Sequence, residues 1–218
     1  MPKIIGQNLE EHRQLTRDAL FGALSRLMAE RGFDAITMAS LATEAGIGRT
    51  AIYNYYADKE ELLMAFVASE MSHYLDTINS SLSETDNPLV QLRIYIRTQL
   101  LTDRAYLAAP GPPLQDTISK ETAHELAKHI RETSKILVLI LERCVAASII
   151  PDQNLAVSVH LVHGTLTGRR VPHQEPQRTA FFEQTERFVL GALGVSPQMI
   201  CDMPSLGAVP APHCTPTR

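Results

Sequence analysis

No uninterrupted apolar stretch in these 218 residues approaches the roughly 20 that a membrane-crossing helix needs. The N-terminus has no apolar run of the signal-peptide kind either. The expectation is a soluble, intracellular protein of the cytoplasm with no membrane partner. Cysteine is scarce: Cys144, Cys201 and Cys214 are an odd number without metal-type spacing, which argues against a disulfide framework. Cys144 reads as a small core residue. An excess of one charge is also lacking. With 20 basic against 24 acidic residues, the balance neither demands nor excludes nucleic acid, because binding depends on where the basic groups sit. Alternating strand patterns are absent, so the fold class expected is all-α.

Helical periodicity runs through the chain instead. From about Leu9 to Arg31, the apolar positions Leu20, Ala23, Leu24, Leu27 and Met28 recur at three and four and form one buried stripe. Gly32 supplies the helix stop. Thr37 caps a second helix in which Met38, Leu41, Ala42 and Ala45 share a face. Gly46 ends it after barely two turns. A third short helix is predicted to start near Gly48 or Arg49, with Ile52 and Tyr56 facing inward together. Asp58 followed by Glu61 is a capping-box arrangement that opens a long fourth helix through Leu62, Leu63, Phe66 and Val67.

Gly46, Gly48 and Ala51 are spaced as G-x-G-x-x-A, the pattern of a dinucleotide-binding turn. That fingerprint needs a strand before the first glycine and an acidic residue about 20 positions on, at the end of another strand. Here a helix precedes it and no strand follows. What remains is two short helices joined by a tight turn and braced by a longer helix, the helix-turn-helix arrangement. A helical corner without a ligand has the same spacing. The outer face weighs against that alternative: Arg49, Thr50, Tyr53, Asn54 and Tyr55 are poor choices for a merely solvated helix and good ones for a DNA groove. Lys59 adds a positive side chain at the N-terminus of the fourth helix.

The segment "GFDAITMASLATEAGIGRTAIYNYYADKEELL" resembles the DNA-binding region of the tetracycline-repressor (TetR) family of bacterial transcription regulators, and the resemblance covers roughly Thr16 to Phe66. It implies that Thr37, Tyr53, Tyr55 and Lys59 touch DNA phosphates and that Arg49, Thr50 and Asn54 read bases. The departures are Gly48, where Ser is frequent, and Ala51, where Ser or Thr is frequent. Ala51 has no hydroxyl to offer and is left with at most an apolar contact, such as one to a thymine methyl.

The resemblance also implies a domain plan. Residues 1–66 would form the helix-turn-helix DNA-binding domain, residues 67–196 a larger helical effector-binding and dimerisation domain, and residues 197–218 a proline-rich disordered tail. The helical part has support from the residues themselves. Asn87 and Pro88 start a helix through Leu89, Leu92, Ile96 and Leu100, and "APGPP" from Ala109 to Pro113 breaks the chain. A long helix is predicted from near Lys120 to Ser148, with Leu126, Ile130, Leu137, Leu141 and Val145 on one side. Its central "ILVLILERCV" is apolar nearly all round, which predicts burial on several sides. Two more helices are predicted, one from Asp152 to about Gly168 lined by Leu155, Val159, Val162 and Leu166. The other runs from about Gln177 to Leu193 and is lined by Phe181, Thr185, Phe188 and Ala192. By resemblance these last two pair with their copies in a homodimer.

Tyr95, Gln99, Thr133 and Cys144, polar or adaptable residues on otherwise apolar helices, are the candidate effector-pocket residues. His160 and His163, with His124 and His129 on the preceding helix, lack the converging ligands of a metal site and read as interface or exposed histidines. Arg169 and Arg170 read as helix C-terminal cations. No cofactor, metal site or catalytic grouping is expected. The function expected is a ligand-responsive regulator, most often a repressor in this family, with double-stranded operator DNA and a small-molecule effector as partners. The competing class is a helical carrier or enzyme in which the helix-turn-helix is only structural.

Overall fold

The computed structural model describes residues 4–101, 112–167, 169, 171–203 and 206, without the side chains of 4–8, 129, 130, 132 and 133. Among the described residues every regular element is helical. In chain order they are α1 (Ile4–Arg31), α2 (Met38–Glu44), a 3-10 helix (Ala51–Asn54), α3 (Lys59–Ser83), α4 (Pro88–Leu101), α5 (Leu114–Thr117), α6 (Lys120–Ala146), α7 (Leu155–Leu166), α8 (Gln177–Ala192) and α9 (Pro197–Cys201).

The chain forms two compact units, and they do not follow a single cut at residue 66. Among the described residues, the first holds 4–70 and 112–127, the second 71–101 and 128–206. The first unit closes on one apolar core. Leu20, Leu24, Leu41, Ile52, Leu62 and Leu63 are fully buried in it, and Leu114, Ile118 and Leu126 pack against its edge. These last three were expected in the second domain. Their apolar side chains find cover on the N-terminal core, an association between distant stretches that local periodicity does not encode.

The second unit has its own core, with Tyr74, Ile78, Leu92, Tyr95, Ile96, Leu137, Leu141 and Cys144 at its centre. α4 starts as expected: Asn87 Oδ1 accepts the Leu89 and Val90 amides at 2.9 and 3.4 Å. α7 starts three residues later than expected, because Asn154 is its cap and accepts from the Val157 amide at 3.2 Å. The apolar run of α6 is not covered all round, since Leu139 is 60% exposed. α8 turns a different face inward from the one its apolar spacing predicts. Phe182, Glu186, Val189 and Leu190 are buried, while Phe188 is 65% exposed. The reason is an ion cluster: the Glu186 carboxylate accepts from Arg93 Nε at 3.0 Å and from Arg97 Nε. A carboxylate taken out of water needs such partners, and two arginines 93 and 89 positions away in sequence supply them.

The segment after Gly194 is not wholly irregular. Ser196 caps α9 by accepting from the Met199 amide at 3.2 Å, Pro197 takes the first helical position, and Ile200 and Met203 pack on the core. Arg97 donates to the Leu206 carbonyl at 2.9 Å. The rest of the tail, Ala109 to Gly111 of the proline break, and Arg170 lie outside the described residues, as do the side chains of Ile130 and His129.

Candidate nucleic-acid interface

The turn after α2 is built by Gly46. Its φ of 70° is the left-handed conformation that glycine enters without penalty. It lets the Gly46 amide reach the Thr43 carbonyl at 3.2 Å and the Ile47 amide reach the Ala42 carbonyl at 2.9 Å. These two bonds are the Schellman pattern of helix termination. They also set Ile47 on the core. At the other end of α2, Thr37 Oγ1 accepts from the Ser40 amide at 3.1 Å, and Ser40 Oγ accepts from the Thr37 amide at 3.1 Å. This reciprocal cap fixes where α2 begins.

The element after the turn is shorter than expected. It is a single 3-10 turn, Ala51–Asn54, so Arg49 and Thr50 sit on the turn leading into it. Ile52 is fully buried and Tyr56 nearly so; Tyr56 lies 6.4 Å from the Phe21 ring. With Ile52 pointing inward, its neighbours point out. Arg49, Thr50, Tyr53 and Asn54 are exposed and Tyr55 is half-buried. Tyr53, at 53%, exposes far more aromatic surface than a solvated helix gains from. Burial pushes the Tyr56 phenol above its ordinary range, with Arg17 drawing it down and Glu61 adding to the rise. Arg26 on α1 pairs with Glu44 on α2 at 2.7 Å.

Lys59 faces the protein. Its Nζ donates to the carbonyls of Phe33, Asp34 and Ile36 at 3.0, 3.3 and 3.1 Å and lies 4.6 Å from the Phe33 ring centre. The three carbonyls belong to the turn immediately before the Thr37 cap, so this ammonium pins the entry to α2. Asp58 caps α3, accepting from the Glu60 and Glu61 amides, each at 2.8 Å. Glu61 reaches back to the Ala57 amide at 2.6 Å, one residue before the cap.

Two of the candidate effector residues meet in the second unit. Gln99 Nε2 donates to Tyr95 Oη at 3.0 Å and to Tyr74 Oη at 2.5 Å, and Tyr95 Oη lies 2.6 Å from His163 Nε2. Tyr95 and Cys144 are fully buried in that unit's core. The Thr133 side chain is outside the described residues. Tyr74 and His163 were not among the candidates: Tyr74 sits on α3, and His163, expected to be an interface or exposed residue, is half-buried against Tyr95 while His160 is exposed. A phenol and an imidazole 68 positions apart give no joint signal in sequence. Arg169 Nε donates to the Thr165 carbonyl at 2.8 Å, as a cation at a helix C-terminus does.

A buried isoleucine under an exposed, hydrogen-bonding turn, entered through a capped helix and a left-handed glycine, defines a helix-turn-helix protein. Residues 20–66 match the family model described as "Bacterial regulatory proteins, tetR family", so the helix-turn-helix region is similar to that of this family. An HTH-type transcriptional regulator of Haemophilus influenzae is 35% identical over 68 residues, covering 31% of this chain and 36% of that one. The chain thus spans about a third of that relative's length. Among solved structures, a tetR-family regulatory protein from Rhodococcus RHA1 superposes with a TM-score of 0.70 at 18% identity, covering 83% of this chain and 98% of that one. AibR in complex with isovaleryl coenzyme A and operator DNA superposes with a TM-score of 0.65 at 17% identity, covering 82% and 97%. At such identities these structures speak for the fold. Among the described residues no helix is long and apolar enough to cross a membrane.

Proposed function

We propose that this protein is a ligand-responsive transcription regulator, acting as a repressor, that binds a palindromic operator as a homodimer and is released by a small, mostly apolar molecule. The observation that carries the reading is the exposed set Arg49, Thr50 and Asn54 around the buried Ile52. Arg49 offers paired hydrogen bonds to guanine, and Asn54 can pair with adenine in the same way. Thr37, Tyr53 and Tyr55 would supply hydroxyls to phosphates. Lys59 would act differently from the others, by holding the entry to α2 rather than by reaching a phosphate.

Dimerisation has support in the outward faces of α7 and α8, which leave Val157, Leu161 and Phe188 more than half exposed. Two recognition elements roughly 34 to 36 Å apart match successive major grooves. The cluster of Tyr74, Tyr95, Gln99 and His163 sets uncharged polar groups beside the apolar core of the second unit, the kind of arrangement suited to orient an effector. The neighbour crystallised with isovaleryl coenzyme A and operator DNA supports the coarser part of the reading, a small-molecule ligand and DNA on one fold.

Fluorescence anisotropy on an operator selected from random duplexes, against scrambled DNA across a salt series, tests the reading. Sequence-selective binding is expected, with Arg49→Ala losing about 1–3 kcal/mol at fixed salt. Weak and equal binding to both DNAs would instead support a carrier or enzyme whose helix-turn-helix is structural. Light scattering that finds only monomer at micromolar concentration, with and without operator, removes the dimer.

A further inference from the structure

Two consecutive residues in the first turn of α3 hold two different parts of the first unit. Successive helical side chains point about 100° apart, so Lys59 and Glu60 reach in different directions. Lys59 grips three carbonyls of the turn that leads into α2. Glu60 grips the start of α6. Its carboxylate accepts from the Ser119 amide at 3.1 Å, from Ser119 Oγ at 2.7 Å and from Thr122 Oγ1 at 2.6 Å. Ser119 Oγ in turn accepts from the Thr122 amide at 3.2 Å, which makes it the cap of α6. A carboxylate at that place is also favoured by the helix dipole. The hydrogen bonds from Thr122 and Ser119 hold the Glu60 carboxyl below its ordinary range.

We infer that the first turn of α3 is a two-sided clamp through which the N-terminus of α6 sets the order of the helix-turn-helix. With Ser119 and Thr122 in place, Glu60 anchors α3, and Lys59 then meets the Phe33, Asp34 and Ile36 carbonyls from a fixed position. Fraying or withdrawal of the first turn of α6 frees Glu60. The α3 turn loosens, Lys59 loses its acceptors, and the entry to α2 opens. The contacts of the half-buried Leu114, Ile118 and Leu126 with the same core keep this stretch of chain against the helices whose order it controls. As a mechanical coupling the clamp stands without DNA; as a means of regulation it rests on the DNA-binding reading above.

Hydrogen-exchange mass spectrometry of the full chain tests it. In a Ser119→Ala, Thr122→Val double variant, exchange across residues 33–47 is expected to rise by about five-fold or more through local opening, with α7 unchanged as the internal reference. Glu60→Gln is expected to give the same pattern, and Glu121→Gln, an exposed neighbour on α6, none. In a Lys59→Met background the double variant should add nothing at 33–47. The inference is overturned if exchange at 33–47 stays at the parent level in either Ser119→Ala, Thr122→Val or Glu60→Gln while α7 reports a folded protein. Should the double variant unfold globally, Glu60→Gln alone decides. Because no DNA is used, loss of the clamp and loss of the DNA-binding reading are separate outcomes.

Discussion

The Nζ of Lys59 lies 3.1 Å from the carbonyl oxygen of Ile36, the residue that precedes the Thr37 cap of α2. A positive side chain at the head of α3 that would suit a phosphate is thereby turned into a brace for the helix-turn-helix. Lys59→Met keeps most of the stem and removes the donor. It is expected to lower stability by about 1.5–3 kcal/mol, as for a hydrogen-bonded charged group. Urea unfolding followed by circular dichroism measures this, and an unchanged midpoint would show that the three carbonyls are served equally well by water.

The two glycines of the turn differ in what they require. Gly46 has φ of 70°, so Gly46→Ala should cost about 1 kcal/mol from backbone strain alone. Gly48 has no such φ, and a Cβ there would meet only the Ala51 Cβ, at 3.9 Å. Gly48→Ala should therefore fall within about 0.5 kcal/mol of the parent. Paired thermal melts separate the two; equal losses would contradict the assignment of the turn to Gly46.

Glu186 is nearly inaccessible and accepts from both Arg93 and Arg97. Removing it strips two guanidiniums of a shared carboxylate, so Glu186→Ala is expected to cost about 3–5 kcal/mol. Glu186→Gln keeps an acceptor and should cost less. A loss below about 1 kcal/mol in the Ala variant, read from denaturant unfolding, would show that the cluster contributes little to the fold.

Burial pushes the Cys144 thiol up to about 11, against a smaller opposing effect of Arg143. At pH 8 only about one thiol in a thousand is then ionised. Because the folded state holds this proton more tightly than the unfolded chain, the associated stability is present at neutral pH and declines as pH rises towards 11. Iodoacetamide at pH 8 followed by peptide mapping should label the exposed Cys201 and leave Cys144 untouched until denaturant is added. Rapid native labelling of Cys144 would place it elsewhere than in the core.

Glu60 gives the opposite sign. Its carboxyl is held low by Thr122 and Ser119, so its contribution is present above the ordinary carboxylate range near 4.3. It is lost as pH falls through the depressed folded value. The stability gap between parent and Glu60→Gln should accordingly be constant from pH 7 to about pH 5 and close at lower pH. A gap that persists unchanged to about pH 2.5 would mean that the effect of the substitution is steric.

The sequence by itself determined the helices and the helix-turn-helix. The stripe of Leu20, Leu24 and Leu27, the caps at Thr37 and Asp58, the stop at Gly46 and the inward pair Ile52 and Tyr56 are all local signals, readable because a helix repeats every 3.6 residues. The exposure of Arg49, Thr50, Tyr53 and Asn54 followed from that register. What only the tertiary structure decided involves residues far apart in the chain. Lys59 became a brace because three carbonyls converge on it, and α8 turned Glu186 inward because Arg93 and Arg97 wait there. Tyr74 and His163 joined Gln99 and Tyr95, and Ser119 met Glu60. Charged and polar side chains look like surface in a sequence, since burying one is costly unless partners are supplied. Those partners come from other elements, and no periodicity announces them.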